Sequence, residues 1–336
     1  MKILVTGGLG YIGSHTVVEF INNNYEVVII DNLSNSELFI LDNIEKITGV
    51  RPVFYNQDLL DFIKTNQIFK KEKIKGVIHF AAFKSVSESV RSPLKYYENN
   101  LLSLINVLKS MEENTVSNIV FSSSCTVYGQ PDKLPVSESS PLKNAESPYA
   151  ESKQISEQII KDFINSHNNI SSVSLRYFNP VGAHESALIG ELPKGVPDNL
   201  VPYITQTAAG IREGLSVFGK DYNTHDGTAI RDYIHVEDLA KAHLKAFNFL
   251  NDSEDKNIYE FFNVGTGIGY SVLDVINSFE NVNNLKLNYS FKDRRDGDIE
   301  QIYSDVIKSK KVLKWESERS LDDMMSSAWK WQKNLK

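Results

Sequence analysis

Short aliphatic runs recur along the first half of the chain without polar alternation, at 2–6, 26–30, 52–55, 76–80, 118–121 and 172–176. Val and Ile at successive positions put apolar groups on both faces of a strand, as in a parallel sheet covered by helices on each side. Between these runs the apolar residues fall at helical spacing, so strands and helices alternate. The pattern predicts an α/β fold built on a doubly wound parallel sheet. After Tyr177 the texture changes: Asn179, Pro180, Gly182, Pro193, Gly195 and Pro197 crowd a loop, and a helical pattern starts near Asn199. Short strands at 216–218 and 258–262, with helices at 236–250, 272–279 and 321–333, are expected to form a smaller C-terminal α/β lobe. The predicted division is 1–178 for the sheet domain and 179–336 mainly for the lobe, with part of the later chain returning to the sheet.

The first strand runs into Thr6-Gly7-Gly8-Leu9-Gly10-Tyr11-Ile12-Gly13, which opens a helix. Gly7 suits a tight turn, Gly10 a close approach of backbone to a pyrophosphate, and Gly13 close packing of helix on strand, while the helix start attracts phosphate charge. The second strand ends in Asp31, 18 residues after Gly13, near the spacing at which a carboxylate meets the adenosine ribose. Strand, glycine turn, helix and acid together predict a Rossmann dinucleotide site. The acid favours NAD over NADP, whose 2′-phosphate it repels. Taken alone, Asp31 equally opens the turn in Asp31-Asn32-Leu33-Ser34-Asn35.

Tyr149 and Lys153 lie four apart after Ser147-Pro148, a pair suited to start a helix. On that helix the two side chains share a face. A phenol acting as a base near neutral pH needs its pKa lowered by ~3 units, about 4 kcal/mol of preferential anion stabilisation. A neighbouring ammonium and a positive nicotinamide ring are expected to supply it. A Tyr and a Lys at this spacing also occur on many solvated helix faces. The hydroxyl-rich run Ser122-Ser123-Ser124-Cys125-Thr126, at the C-terminal end of the fifth strand, gives the pair its context, because open α/β sheets place their chemistry there. Ser124 is the candidate partner of the hydroxyl that Tyr149 deprotonates.

With 41% hydrophobic and 24% charged residues, composition is that of an ordinary globular enzyme. The net charge of −7 disfavours nucleic-acid and anionic-membrane partners. No apolar run reaches the ~20 residues that span a bilayer. The lone Cys125 forms no intramolecular disulfide, and the chain opens on its glycine motif without a basic-then-apolar leader, so a cytoplasmic location is expected. No metal site is predicted.

Together the glycine turn, the serine-rich strand end and the Tyr-x-x-x-Lys helix resemble the extended short-chain dehydrogenase/reductase family. Closer similarity, to its UDP-galactose 4-epimerase branch, lies in Tyr11-Ile12-Gly13-Ser14-His15, Asp31-Asn32-Leu33, His79-Phe80-Ala81-Ala82, Tyr96-Tyr97-x-Asn99-Asn100, Leu175 to Ala183, and Asp226-Gly227-Thr228-x-x-Arg231-Asp232-Tyr233-Ile234-His235-Val236. The resemblance runs from Met1 to about Trp331. It implies NAD contacts from Tyr11, Ile12, Asp31, Asn32, Leu33, Ser34, Asn35, Ser36, Asp58, Leu59, Phe80, Ala81, Ala82, Phe83, Lys84, Asn99, Ser122, Lys153 and Phe178. It implies UDP contacts from Asn179, Asn199, Leu200, Ser216, Val217, Phe218, Arg231, Tyr233, Arg295 and Asp298. Arg231 and Arg295 are also the cations best suited to fork a diphosphate, although single arginines are commonly just solvated.

The implied chemistry is inversion of a sugar hydroxyl. Tyr149 takes the 4-hydroxyl proton while hydride leaves C4 for NAD, the 4-keto sugar pivots under its anchored UDP, and hydride returns to the other face. In 4,6-dehydratases of the same fold an Asp-Glu pair stands where this chain has Cys125-Thr126, which cannot expel water. A UDP-glucuronate epimerase or decarboxylase needs a carboxylate site that the sequence does not display, and a non-catalytic sensor has no need of Ser124, Tyr149 and Lys153 together. Counting from Arg294-Arg295, the family position that gates space for an N-acetyl group falls at Ile302, intermediate between a bulky tyrosine and smaller residues; an apolar wall is the plainer role for it. Helices at 93–111 and 148–166 match those through which relatives pair as homodimers, and their mixed polarity equally suits a solvated face.

Overall fold

The computed structural model describes residues 1–295 and 298–335. The first six strands are β1 (Lys2–Thr6), β2 (Glu26–Asp31), β3 (Val53–Asn56), β4 (Gly76–His79), β5 (Asn118–Ser124) and β6 (Ser171–Tyr177). They are followed by β7 (Asn179–Val181), β8 (Leu215–Phe218), β9 (Ile230–His235), β10 (Tyr259–Val264), β11 (Gly269–Ser271), β12 (Tyr289–Lys292) and β13 (Gln301–Ile302). Seven form one sheet in the order β10-β6-β5-β4-β1-β2-β3, parallel throughout. Alternate residues of each strand enter different cores. Ile3, Val5, Ile29 and Ile78 pack with Val17 and Phe20 of helix Tyr11–Asn22 and with Leu239 and Phe247 of helix Val236–Asp252. Leu4, Val28, Ile30 and Val77 pack on the other side with Leu104 and Val107 of helix Pro93–Glu113 and Ile160 of helix Pro148–Asn165. Burial on both faces is why these strands show no polar alternation.

Two segments of the second half that were expected in the lobe belong to the main sheet instead. β10, expected in the small lobe, pairs with β6 from Tyr259↔Ser172 to Val264↔Tyr177 and forms an edge of the main sheet. Helix Val236–Asp252, also expected in the lobe, covers the main sheet beside helix Tyr11–Asn22. The physical reason is that the outer half of β6, with Val173 and Leu175 buried, needs both a strand alongside and a helix above it.

What remains of the lobe is built on β9, flanked by β7, β11 and β13, together with a two-stranded β8–β12 ribbon. Its core joins Val217, Tyr233, Val275, Phe279, Met324 and Met325. Asp232 ties β9 to the loop between β10 and β11 and to the segment after β13: its buried carboxylate accepts hydrogen bonds from Thr266 N and Oγ1, Gly267 N, and Ser304 N and Oγ, at 2.5–3.1 Å. Among the described residues no helix is long and apolar enough to cross a membrane.

Candidate active site

Strand order reverses between β1 and β4, and the loops after β1, β2, β3 and β4 all emerge at the same, C-terminal edge. Gly7, at φ +67°, makes the turn out of β1, and its N–H donates to Ile30 O at 2.8 Å. A Cβ on Gly13 would lie 2.2 Å from Gly7 O, so Gly13 is required by the loop folded over the helix start rather than by strand packing. Gly10 precedes the helix, and no side chain caps the first turn, which leaves its N–H groups facing outward as anion donors.

Asp31 organises the next loop. Its Oδ2 accepts Leu9 N at 3.1 Å from the glycine turn, while Oδ1 accepts Leu33 N at 2.9 Å and Ser36 Oγ at 2.7 Å. The carboxylate therefore shapes the 31–36 loop and ties it to the glycine turn. Asn32 Nδ2 reaches Asp58 Oδ2 at 3.0 Å, joining the loops after β2 and β3. Ser34 and Asn35 are exposed on the rim. Leu59 is different: its side chain is buried in the core under helix Pro93–Glu113, leaving only its backbone for a ligand. After β4 the segment from Phe80 to Lys84 is held by Asn100, whose amide accepts Phe83 N at 2.8 Å and donates to Phe83 O at 3.1 Å. Asn99 donates to Asn100 Oδ1 at 3.0 Å. Tyr11 turns its hydroxyl to Gly182 O at 2.7 Å, and Ile12 packs against the core.

β5 runs three residues further than its aliphatic stretch and carries all three serines. Ser147 Oγ accepts Ala150 N at 3.2 Å and Pro148 occupies the first turn, so helix Pro148–Asn165 starts where the sequence predicts. That helix lays Tyr149 and Lys153 along the end of β5. Lys153 is buried, donates to Ser122 O at 2.6 Å and lies 4.9 Å from the Phe121 ring centroid and 5.8 Å from that of Tyr149. Burial pushes the Tyr149 phenol up to about 12, and the nearby Ser124 hydroxyl offsets only part of that rise. Burial also brings Lys153 down to about 8. The expected acidification of Tyr149 by Lys153 is thus not produced by the protein's groups, because desolvation penalises phenolate and ammonium alike. Cys125 and Thr126 open a single 3₁₀ turn; burial pushes the Cys125 thiol up to about 12, so it is neutral.

Across the crevice, Arg231 on β9 and Arg295 do not stand as independent cations. Asp298 bridges them, with Arg231 Nη2 at 2.7 Å from Oδ1 and Arg295 Nη2 at 3.0 Å from Oδ2. Two guanidinium groups against one carboxylate leave one net positive charge at this point. Phe218 lies under Arg295, 5.1 Å from ring centroid to guanidinium. Ser216 and Phe218 point outward from β8, whereas Val217 is buried in the lobe core and offers only backbone. Tyr233 is buried beside Arg231, and Asn179 pairs with it across β7 and β9. Asn199 caps the helix Leu200–Ala208 in position and donates to Glu191 Oε1 at 2.8 Å; the same oxygen takes Lys84 Nζ at 2.9 Å. Ile302 is buried with Cys125 and Phe178 in a small apolar cluster at the seam between sheet and lobe. Asp296 and Gly297, within the stretch from which it was counted, lie outside the described residues.

Comparison with known proteins agrees along the whole chain. The family model described as GDP-mannose 4,6 dehydratase matches residues 4–328. A UDP-glucose 4-epimerase of Pasteurella multocida is 51% identical over 333 residues, 99% of this chain and 98% of the relative. The chain belongs to the UDP-glucose 4-epimerase family. Solved structures of that family superpose closely. The enzyme from Stenotrophomonas maltophila, solved with NAD and formylated UDP-arabinopyranose, gives a TM-score of 0.96 at 44% identity, covering 99% of this chain and 98% of its own. The enzyme from Bifidobacterium longum, in complex with NAD+ and UDP, gives 0.95 at 45% identity, with 100% and 99% covered.

Three polar side chains packed behind this site carry a sequence signal of their own. Asn100 is the clamp of the Phe80–Lys84 segment, although it sat beside Asn99 in a recognised motif. Glu157 continues the Tyr149, Lys153 spacing by four more residues, so its place on the same helix face was there to be read. Arg176 is the one charged residue of a fully buried strand, which in a doubly covered sheet demands a buried partner.

Proposed function

We propose that the protein interconverts UDP-glucose and UDP-galactose by inverting the sugar 4-hydroxyl, using one tightly held NAD. NAD, when bound, supplies the hydride acceptor and gives the same hydride back. The observation that carries this reading is the convergence of Tyr149, Lys153 and Ser124 at the end of β5, beside Cys125 and Thr126 where a dehydratase needs two carboxylates.

The chain's residues divide the work. Gly7, Gly10 and Gly13 with the first turn of helix Tyr11–Asn22 cradle the cofactor's pyrophosphate, Asp31 accepts from the adenosine ribose, and the segment from Phe80 to Lys84 lines the nicotinamide side. Arg231 and Arg295 hold the diphosphate of the substrate, with Asn179, Asn199 and the outward groups of β8 around the nucleoside. Lys153 keeps a positive charge beside Tyr149, whose phenolate accepts the 4-hydroxyl proton and whose phenol returns it, with Ser124 placed to hydrogen-bond the same substrate oxygen. Burial raises the phenol to about 12 in the protein alone, and the positive charge of a bound NAD would favour its phenolate. Anchoring by UDP leaves the hexose free to present either face. The sheet with its returning helix Val236–Asp252 and β10 forms the cofactor domain, and the β9-centred unit is the substrate lobe.

Ile302, smaller than a tyrosine and buried with Cys125 and Phe178 next to the 3₁₀ turn, is the residue that would gate an N-acetyl group at sugar C2. The test offers purified protein UDP-galactose and UDP-N-acetylgalactosamine. Wild type is expected to epimerise both, and Ile302→Tyr to keep the first and lose the second. No UDP-glucose from UDP-galactose would reject the function; equal loss on both substrates in the variant would reject the gate.

The family relationship and the exposed apolar residues Leu94 (79%) and Leu102 (44%) on helix Pro93–Glu113 support a homodimer, and the lone buried thiol of Cys125 is in keeping with a cytoplasmic enzyme. Light scattering is expected to give the mass of two chains, and the mass of one would refute the dimer.

A further inference from the structure

Beneath the serine-rich end of β5 lies a buried charge pair that no step of the reaction touches. Arg176 and Glu157 are joined through two of the three guanidinium nitrogens and both carboxylate oxygens, Nε to Oε1 at 2.9 Å and Nη2 to Oε2 at 2.6 Å. Their side chains are only 3% and 5% exposed. Ser123 Oγ donates to Glu157 Oε1 at 2.6 Å, and Arg176 Nη1 donates to Tyr128 OH at 3.0 Å. The Tyr128 hydroxyl in turn donates to Asn263 Oδ1 at 2.7 Å. A buried ion pair is a poor stabiliser compared with apolar side chains of similar size, so its presence here points to a use other than stability.

Placement supplies the use. Glu157 sits one turn beyond Lys153 on the same helix face, and it grips Ser123, whose neighbour Ser122 provides the carbonyl that receives the Lys153 ammonium. We propose that Glu157 is a positioning residue for this reaction: paired with Arg176, it holds the end of β5 against the helix and keeps the Lys153 ammonium in place and charged beside Tyr149. The proposal rests on the epimerase reading of Tyr149 and Lys153.

Electrostatics concurs. Burial draws Lys153 down, and Glu157 is the group that pushes it back up. The groups around Lys153 and Tyr149 are otherwise neutral or apolar: His79 from β4, brought to about 3 by burial, the Phe121 ring and Ser122 carbonyl from β5, the Cys125 thiol from the turn, and the Tyr177 phenol from β6. Within that set, among the described residues, Glu157 is the one anion. Without it the ammonium gives up its proton at lower pH, and the charge that supports the phenolate is lost sooner on the alkaline side.

The experiment is the pH profile of kcat for UDP-galactose with the purified, cofactor-loaded protein, comparing wild type, Glu157→Gln and Glu157→Gln/Arg176→Met. The double variant carries no unpaired buried charge, so it decides the matter if the single variant does not fold. The alkaline limb is expected to move toward acid by about one pH unit in the variants, with KM nearly unchanged. A folded variant with reduced kcat and an unmoved alkaline limb would overturn the role, and failure of both variants to fold would mark the pair as structural and overturn it too. Wild type without turnover would instead reject the epimerase reading itself.

Discussion

Tyr149→Phe is expected to lower epimerisation about 10³-fold while UDP binding stays at the wild-type level. The substitution keeps the ring that packs beside Lys153 and deletes only the hydroxyl, so the fold has little reason to change. What disappears is the one group positioned both to take and to return the proton, and general acid–base groups of this kind are worth roughly 10² to 10⁴ in rate. Ser124 cannot replace it, because its hydroxyl is already accepting from Thr126 N and Thr126 Oγ1 at 3.2 and 3.0 Å, and an aliphatic hydroxyl is far harder to ionise. UDP binding is spared because Arg231, Asp298 and Arg295 lie in the other lobe and make no bond to Tyr149. The check is kcat together with calorimetric titration of UDP. Turnover within tenfold of wild type would remove Tyr149 from the mechanism.

Gly13→Ala is expected to cost both cofactor and stability, whereas Gly10→Ala should cost cofactor alone. At Gly13 a methyl group would lie 2.2 Å from Gly7 O and 2.9 Å from Gly8 Cα, both backbone, so the turn and the helix must part. Overpacking of this kind costs about 1–3 kcal/mol and moves the donors of the first helical turn out of line. At Gly10 the nearest obstacle is the same carbonyl at 3.2 Å, which a few tenths of an ångström relieves. A methyl group there would stand instead where the proposed pyrophosphate contact is made. The measurements are nicotinamide content after purification and the midpoint of thermal unfolding. If Gly10→Ala retained full cofactor, the pyrophosphate would not lie over that turn.

Much of this molecule can be read along the chain because local rules govern it. Alternate residues of a strand face opposite ways, so runs such as Ile3-Leu4-Val5 and Val27-Val28-Ile29-Ile30 announce two cores and a covered sheet. Ser147-Pro148 announces a helix start, and once the helix is granted Tyr149 and Lys153 share a face. The turn at Gly7 is legible for the same reason: its backbone needs a conformation that few other residues tolerate.

Where the reading went astray, the deciding interactions join residues far apart in sequence. Nothing near 258–262 says that this strand completes the main sheet; β6 decides it from more than eighty residues away. Leu59 and Val217 stand within binding motifs, yet their side chains are committed to cores assembled from distant helices. Arg231 and Arg295 read as separate cations until folding sets Asp298 between them. The sign of the Tyr149 shift belongs to the same class, since an ammonium at the right spacing suggests a lowered pKa but the burial of both groups is a property of the packed whole. Short-range geometry is enough to specify the covered parallel sheet, the glycine turn and the helix that carries Tyr149 and Lys153. Only the tertiary structure decided which late segments join the sheet, which motif residues face a ligand and how the buried charges are balanced, because desolvation and long-range pairing exist only once the chain has closed on itself.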